Sequence, residues 1–238
     1  MFESYPVENI LFLDIETVPQ ESDFSIVAPQ LQELWDKKSL HFRKDEQSAE
    51  DVYQRAGIYA EFGKIICISA GFIFLKNGER YFRIKSFYGH DERLLLIDFR
   101  KVLDSFCNNP KNQICGHNIK EFDVPYIARR MLINGIPLPE VLNIAGKKPW
   151  EVKFLDTLEL WKFGDYKNFT SLALLTHIMG IPSPKDDIDG SQVANVYYNE
   201  KNLDRIAIYC EKDVLATAQL FLRFKCEDLI KQENVVRV

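Results

Sequence analysis

The sequence of 238 residues lacks several features that would assign a class of protein at once. It has no apolar run of the length that a membrane-spanning helix needs, and its first residues show neither a basic segment nor an apolar signal stretch. The five cysteines never form a Cys-x-x-Cys pair, and only four histidines are present. These absences argue against a membrane protein, a disulfide framework and a zinc site. We therefore expect a cytoplasmic protein whose reduced thiols mostly fill its core.

An excess of basic residues is also absent, because the formal net charge is −5. This balance argues against a protein that coats nucleic acid by bulk attraction, although it permits an enzyme that grips a short strand. The basic pairs Arg129-Arg130 and Lys147-Lys148 are interpreted as solvated surface. Aromatic residues make up 13% of the chain, so a sizeable core is expected.

The pattern of apolar residues predicts the first strands. Residues 10–15 form an apolar run that predicts a buried strand, which we expect to stop at Thr17-Val18-Pro19. Asn77-Gly78 separates two apolar runs between residues 64 and 88 and predicts a hairpin. The polar segment 20–60 predicts one or two surface helices, inserted after the first strand.

Helices and short strands alternate in the rest of the chain. Helices are predicted over residues 91–106, 123–134, 170–179 and 202–225, and short strands at 113–116 and 154–155. This order predicts an α/β fold, with a central mixed sheet of about five strands and helices on both faces. Because no linker or repeat interrupts it, residues 1–238 are predicted to form a single domain.

Four carboxylates in three separated segments suit metal-ion chemistry. Asp14 and Glu16 close the first apolar strand, and because they are two positions apart both side chains leave the same face. Asp123 stands at a predicted helix start, where it also has the features of an N-cap residue. Tyr209 and Asp213 lie four positions apart on the last predicted helix, so they share one face.

Each of these segments has a simpler interpretation when it is taken alone. Asp14 and Glu16 would reach solvent at a strand end, Asp123 would cap a helix, and Tyr209 and Asp213 would face solvent as a pair. A group of acids that is buried together, however, cannot remain as bare anions. Divalent cations that prefer oxygen ligands neutralise such a group, so the combination predicts a metal site.

The order and spacing of these segments resemble the DEDD superfamily of 3′→5′ exonucleases, which has the ribonuclease H-like fold, and Tyr209 matches its DEDDy branch. The flanking residues are most similar to the proofreading exonuclease domains of family B DNA polymerases and to stand-alone predicted PolB-like 3′→5′ exonucleases. These flanking residues are Gly116-His117-Asn118, Phe122-Asp123-Val124-Pro125, Arg129-Arg130 and Asp156-Thr157-Leu158. The resemblance extends from about residue 8 to about residue 225, and the segment 20–60 departs from the minimal pattern.

The resemblance implies a role for each matching residue. Asp14, Glu16 and Asp213 would hold one of two Mg²⁺ or Mn²⁺ ions, and Asp14 would bridge to the second ion, which Asp123 would bind. Tyr209 would lie beside the attacking water. Contacts to the last nucleotides are expected from four further residues, namely Thr17, Val18, Asn118 and Phe122.

The expected activity is the metal-dependent release of nucleoside monophosphates from the 3′ end of single-stranded nucleic acid, with DNA preferred over RNA. Aromatic residues near such a site would stack on unpaired bases, which favours single strands over duplex. Two alternatives stay open, an RNase D-like 3′→5′ exoribonuclease and a non-catalytic nucleic-acid-binding module that has kept the fold. The four acids and Tyr209 count against the second alternative, because they are all present.

Overall fold

The computed structural model describes residues 4–165, 167, 169–182 and 187–238, and six strands in these residues form one mixed sheet. The strands are β1 Ile10–Pro19, β2 Gly63–Lys76, β3 Glu79–Tyr88, β4 Gln113–Gly116, β5 Leu155–Asp156 and β6 Val235–Arg237. Their order across the sheet is β5-β4-β1-β2-β3-β6. β2 pairs antiparallel with both β1 and β3. β4 pairs parallel with both β1 and β5, and β6 pairs parallel with β3.

Helices cover both faces of this sheet, which confirms the predicted α/β architecture. Leu11 and Leu13 of β1 pack with α2 and α3, whereas Phe12 packs with α7 on the opposite face. None of the helices in the described part of the chain is long and apolar enough to cross a membrane. The α-helices are α1 Pro29–Ser39, α2 Glu92–Phe106, α3 Asp123–Ile133, α4 Thr157–Lys162, α5 Leu172–Ile178, the single turn α6 Val193–Asn195 and α7 Leu203–Phe224.

Local signals in the sequence explain where several elements begin and end. Asn77 and Gly78 have φ of 54° and 82°, and two successive residues with positive φ form the tight turn that the predicted hairpin needs. The Asp91 carboxylate accepts a hydrogen bond from the backbone N–H of Leu94 and so caps α2. α3 ends just before Gly135, whose φ of 66° suits a residue without a side chain.

The sheet is larger than the sequence predicts. β1 does not stop at residue 15, because Val18 and Pro19 continue the ladder against β2, and Pro19 is accommodated as its last residue. The sixth strand, β6, has only three residues and was not predicted, and neither was the six-residue helix α4. Such short elements form because a neighbouring strand or cap stabilises them, so their own residues carry little signal.

The segment 20–60 contains one α-helix, α1, and two short 3₁₀ helices, of which Tyr53–Ile58 is the longer. Trp35 of α1 is fully buried, and its indole N–H donates to the carbonyl of Ala49 at 2.9 Å. Other aromatic rings surround Trp35, namely Phe42, Tyr53, Tyr59 and Phe62. The predicted surface helix therefore has a small core of its own.

Arg130 on α3 connects this segment to the main sheet. Its guanidinium donates to the carbonyl of Ala60 at 2.9 Å and pairs with the buried carboxylate of Glu92, the first residue of α2. Arg130 is only 3% exposed, so the prediction of a solvated Arg129-Arg130 pair is wrong for Arg130. Its neighbour Arg129 is exposed, as are Lys147 and Lys148.

Candidate active site

β1 presents Asp14 and Glu16 on the face of the sheet that α7 covers. The strand alternates regularly, so Ile15 is buried on the opposite face against α2 and α3. The pairing with β2 then shifts between Glu16 and Thr17, where β2 contributes the extra residue Ile66. A bulge of this kind bends a strand and redirects its side chains, and it lies here directly beside Glu16.

Asp123 reaches the same place through a contact with the backbone of β1. β4 pairs with β1 only as far as Phe12, so the next part of that strand edge has no neighbouring strand among the described residues. The carboxylate of Asp123 accepts the backbone N–H of Ile15 there, at 3.2 Å from Oδ1. The prediction that Asp123 is an N-cap residue is therefore wrong: it is the first residue of α3, and Phe122 occupies the cap position.

α7 contributes Tyr209, Cys210 and Asp213, which are all buried. The four-residue spacing places Tyr209 and Asp213 on one face, and the tyrosine hydroxyl is hydrogen-bonded to the Asp213 carboxylate. The Cys210 thiol lies 3.5 Å from Oδ2 of Asp14 and 3.4 Å from its carbonyl oxygen, so α7 contacts β1 directly at Asp14. From the sequence Cys210 is predicted only to fill the core, so this contact was not expected.

The acids Asp14, Glu16, Asp123 and Asp213, referred to below as the acid cluster, are close enough to change one another's ionisation. Burial raises the pKa of Asp14 well above its usual value, and the charges of the other three acids raise it further, while the Cys210 hydrogen bond opposes them. Burial likewise raises the pKa of Asp123 to about 7, against the opposing effect of the Ile15 N–H. Bringing these acids together therefore costs free energy.

Tyr209 responds to the same environment. Burial raises the pKa of its phenol, and the nearby charges of Asp213, Glu16 and Asp14 raise it further, as does the hydrogen bond to Asp213. The hydroxyl therefore keeps its proton near neutral pH. A protonated phenol in this position can orient a neighbouring group by hydrogen bonding, but it is a poor base.

The donor set fits a divalent cation. Three potential ligand atoms lie within 4.8 Å of one another, one each from Asp14, Glu16 and Cys210. A single ion can span this separation. Burial and the neighbouring thiol of Cys67 raise the pKa of the Cys210 thiol, which leaves the carboxylates as the charged donors. Carboxylate oxygens suit Mg²⁺ and Mn²⁺, and a positive ion would relieve the repulsion within the acid cluster.

Asp156 supports the site, although it was not among the predicted site residues. Its carboxylate caps α4 by accepting the N–H of Leu158 at 3.0 Å, and it also accepts the N–H of Asn118 at 2.9 Å and of Lys120 at 3.1 Å. It thereby holds the loop between β4 and α3, the loop that leads to Asp123. The spacing of Asp156 and Glu159 after a short apolar run was a capping signal in the sequence.

The four predicted nucleotide contacts lie around the acid cluster with different exposures. Thr17 is half-buried and hydrogen-bonded to the Tyr126 hydroxyl, whereas the side chain of Val18 is fully buried, so only its backbone can meet a ligand. Asn118 is half-buried in the loop after β4, with a φ of 65°. Phe122 is also half-buried, and its ring packs 5.5 Å from that of Tyr126. Their roles in binding stay predictions.

The comparison with protein families gives one match that covers three quarters of the chain. Residues 58–236 match a family described as predicted 3′-5′ exonucleases related to the exonuclease domain of PolB. The matched segment includes Asp123, Tyr209 and Asp213 but begins after Asp14 and Glu16, which the fold places beside them. A search of curated proteins found no match. On this match and this six-stranded α/β fold, the chain belongs to the family of predicted 3′-5′ exonucleases related to the exonuclease domain of PolB.

Proposed function

We propose that the protein is a metal-dependent 3′→5′ exonuclease that releases nucleoside monophosphates from the 3′ end of single-stranded DNA. The observation that carries this proposal is the convergence of the acid cluster from β1, α3 and α7. The three other acids lie close enough to Asp14 to raise its pKa by their charges. Exonuclease domains of this kind use divalent metals, and family membership implies a nucleic-acid substrate.

The acid cluster would hold two Mg²⁺ or Mn²⁺ ions. Asp14, Glu16 and Asp213 would bind one ion, and Asp14 and Asp123 would bind the other. When bound, two such ions supply an activated water and neutralise the charge that develops on the phosphate. The protein's part is to hold these carboxylates in fixed positions, which the Ile15 N–H does for Asp123 and the Cys210 thiol does for Asp14.

Tyr209 would orient the attacking water. Its hydroxyl is hydrogen-bonded to Asp213 and keeps its proton, and the phenol oxygen can still accept a hydrogen bond from a water molecule. The backbone of Thr17 and Val18 would meet the terminal sugar, and Asn118 and Phe122 would contact the last nucleotides. In this arrangement the residues of the chain position the reacting groups, and they do not themselves form a covalent bond to phosphorus.

The test is a digestion of DNA and RNA oligonucleotides, single- and double-stranded and labelled at either end, with Mg²⁺, Mn²⁺ or a chelator. We expect a 5′-labelled single strand of DNA to shorten stepwise, and a 3′-label to be released at once as a mononucleotide. Strands that end in a 3′-phosphate should resist digestion. Cleavage of circular single strands, or activity in chelator, would contradict the proposal, and faster digestion of RNA would favour the exoribonuclease.

A further inference from the structure

Tyr126 of α3 connects two of the four predicted nucleotide contacts. Its hydroxyl is hydrogen-bonded to the side chain of Thr17 on β1, and its ring centre lies 5.5 Å from that of Phe122. Thr17 is one of only two residues of β1 that are not buried, Asp14 being the other, and Phe122 is half-buried. Tyr126 itself is 2% exposed, so it can act on a bound strand only through its neighbours.

These contacts lie directly beside the acid cluster. Thr17 follows Glu16 in β1. Tyr126 comes three residues after Asp123 in α3, which is a distance of about 4.5 Å along the helix axis. The Asp123 carboxylate accepts the N–H of Ile15, and one turn later the Tyr126 hydroxyl meets Thr17. β1 and α3 therefore contact each other at two successive points, and the Thr17 hydroxyl lies at the second.

The carbonyl of Gly57 fixes the direction of the hydrogen bonds through Tyr126. A carbonyl oxygen can only accept, so the Tyr126 hydroxyl donates its one hydrogen to Gly57, at 2.8 Å. Burial raises the pKa of the phenol, which therefore keeps this hydrogen near neutral pH. The Thr17 hydroxyl must then donate its own hydrogen to the phenol oxygen. Its remaining lone pairs can only accept, so Thr17 suits a ligand that donates a hydrogen bond.

Close packing of two glycines holds these groups in place. A Cβ atom on Gly63 would overlap the Tyr126 hydroxyl and would come within 2.9 Å of the Val18 carbonyl oxygen. A Cβ atom on Gly57 would lie 3.1 Å from the carbonyl carbon of Val18. Gly57 belongs to the segment 20–60, which departs from the minimal exonuclease pattern. This segment therefore supplies the acceptor that sets the direction of the Tyr126 hydrogen bond.

We propose that Tyr126 is a positioning residue, which makes the Thr17 hydroxyl a hydrogen-bond acceptor for the 3′-hydroxyl of a DNA strand. This inference rests on the proposed function and gives the site a reason to require a free 3′ end. A 3′-hydroxyl can donate a hydrogen bond to Thr17, whereas a 3′-phosphate dianion offers only acceptors. A site built to bind a hydroxyl rejects a group that cannot make the same hydrogen bond, because a polar atom of the site is then left unpaired.

The experiment measures the binding of labelled single strands of DNA that end in a 3′-hydroxyl or a 3′-phosphate, by fluorescence anisotropy in Ca²⁺. The wild type should have the lower Kd for the 3′-hydroxyl strand. In Tyr126→Phe the ratio of the two Kd values should fall by about 10-fold, because the Thr17 hydroxyl can then donate its hydrogen to a phosphate. Thr17→Val should lower the ratio by a similar factor, and combining the two substitutions should add nothing further.

Trp35→Phe is the matched control. It removes another buried hydrogen bond to a carbonyl of the segment 20–60, that of Ala49 at 2.9 Å, in which Thr17 takes no part. Its Kd ratio should equal that of the wild type, even if its melting temperature falls. In initial-rate measurements with Mn²⁺, Tyr126→Phe should raise KM for the 3′-hydroxyl strand by a larger factor than it lowers kcat, because the acid cluster is intact.

An unchanged Kd ratio in Tyr126→Phe would overturn the role of Tyr126, and so would an equal fall in Trp35→Phe. Equal binding of the two strands by the wild type would do the same. If Tyr126→Phe does not fold, as judged by circular dichroism, an unchanged ratio in Thr17→Val would overturn the inference. A wild type that binds the 3′-hydroxyl strand more tightly but does not cleave it with Mg²⁺ or Mn²⁺ would overturn the proposed function instead.

Discussion

The protein buries acidic side chains in two regions, and it neutralises them in different ways. Glu92 is 8% exposed, and its carboxylate accepts hydrogen bonds from the guanidinium of Arg130, the backbone N–H of Ile65 and the side-chain amide of Asn134. In the acid cluster, by contrast, the neighbours that most affect the charged form of Asp14 are other carboxylates, and they disfavour it.

The difference separates a structural acid from a functional one. The Glu92–Arg130 pair is complete as soon as the chain folds, and it joins α2, α3 and β2, so its loss should affect stability. Under the proposed function the acid cluster is complete only when cations bind from solution, so its loss should affect chemistry and the response to metal.

Asp14→Ala should lower kcat/KM on single-stranded DNA by at least about 1,000-fold, which corresponds to about 4 kcal/mol of transition-state stabilisation. The reason is that Asp14 would contact both ions, so its removal disables both. The measurement is a single-turnover assay with circular dichroism of the same sample to confirm folding. Turnover close to that of the wild type would show that Asp14 is not part of the catalytic site.

Arg130→Met should lower the free energy of unfolding by about 3–5 kcal/mol, because it leaves the Glu92 carboxylate buried without its cation. The activity of the folded fraction should change little. The measurement is urea unfolding, and Arg129→Met is the control. Because the Arg129 side chain is exposed, its replacement should change the free energy of unfolding by less than about 0.5 kcal/mol. Equal effects of the two substitutions would remove the contrast between the regions.

Mn²⁺ should stabilise the wild type, because it relieves repulsion in the acid cluster. At a concentration about 100-fold above its dissociation constant the gain is about 2.7 kcal/mol, or roughly 5–10 °C in melting temperature for a chain of this length. Asp14→Asn should melt above the wild type in chelator, and it should lose most of the response to Mn²⁺. A wild type that does not respond to Mn²⁺ would count against the metal site.

Tyr209→Phe should lower kcat by about 10-fold, or about 1.4 kcal/mol, because the variant loses an orienting hydroxyl and keeps every carboxylate. Its dependence on Mn²⁺ concentration should stay close to that of the wild type. The measurement is a set of initial rates over a Mn²⁺ titration. If kcat does not change, the tyrosine only packs against Asp213.

Measured against Asp123→Asn, the stability of the metal-free wild type should fall by at least about 1 kcal/mol as the pH rises from 4 to 7. Folding raises the pKa of Asp123 from 3.8 to about 7, so in this interval the folded state holds a proton that the unfolded state has released. Thermal melts of both proteins in chelator over this pH interval measure the difference. A difference that stays constant over the interval would show that burial does not raise the pKa of Asp123.

Local periodicity was enough to predict which side chains of the candidate site share a face. Alternation along β1 places Asp14 and Glu16 on one face, and helical spacing places Tyr209 and Asp213 on one face of α7, because both depend on neighbours within four residues. The hairpin at Asn77-Gly78 followed from the same kind of signal. These relations are set by backbone geometry and hold wherever the element lies in the fold.

Long-range contacts decided the rest. Asp123 accepts the N–H of Ile15, which is 108 positions away, only because β4 stops pairing with β1 at Phe12. Arg130 was predicted to lie at the surface, because its sequence neighbours do not show that it pairs with the buried carboxylate of Glu92. Periodicity assigns a residue to a face of its own element, but the partner on that face comes from another element, and only the packing of the sheet against its helices selects it.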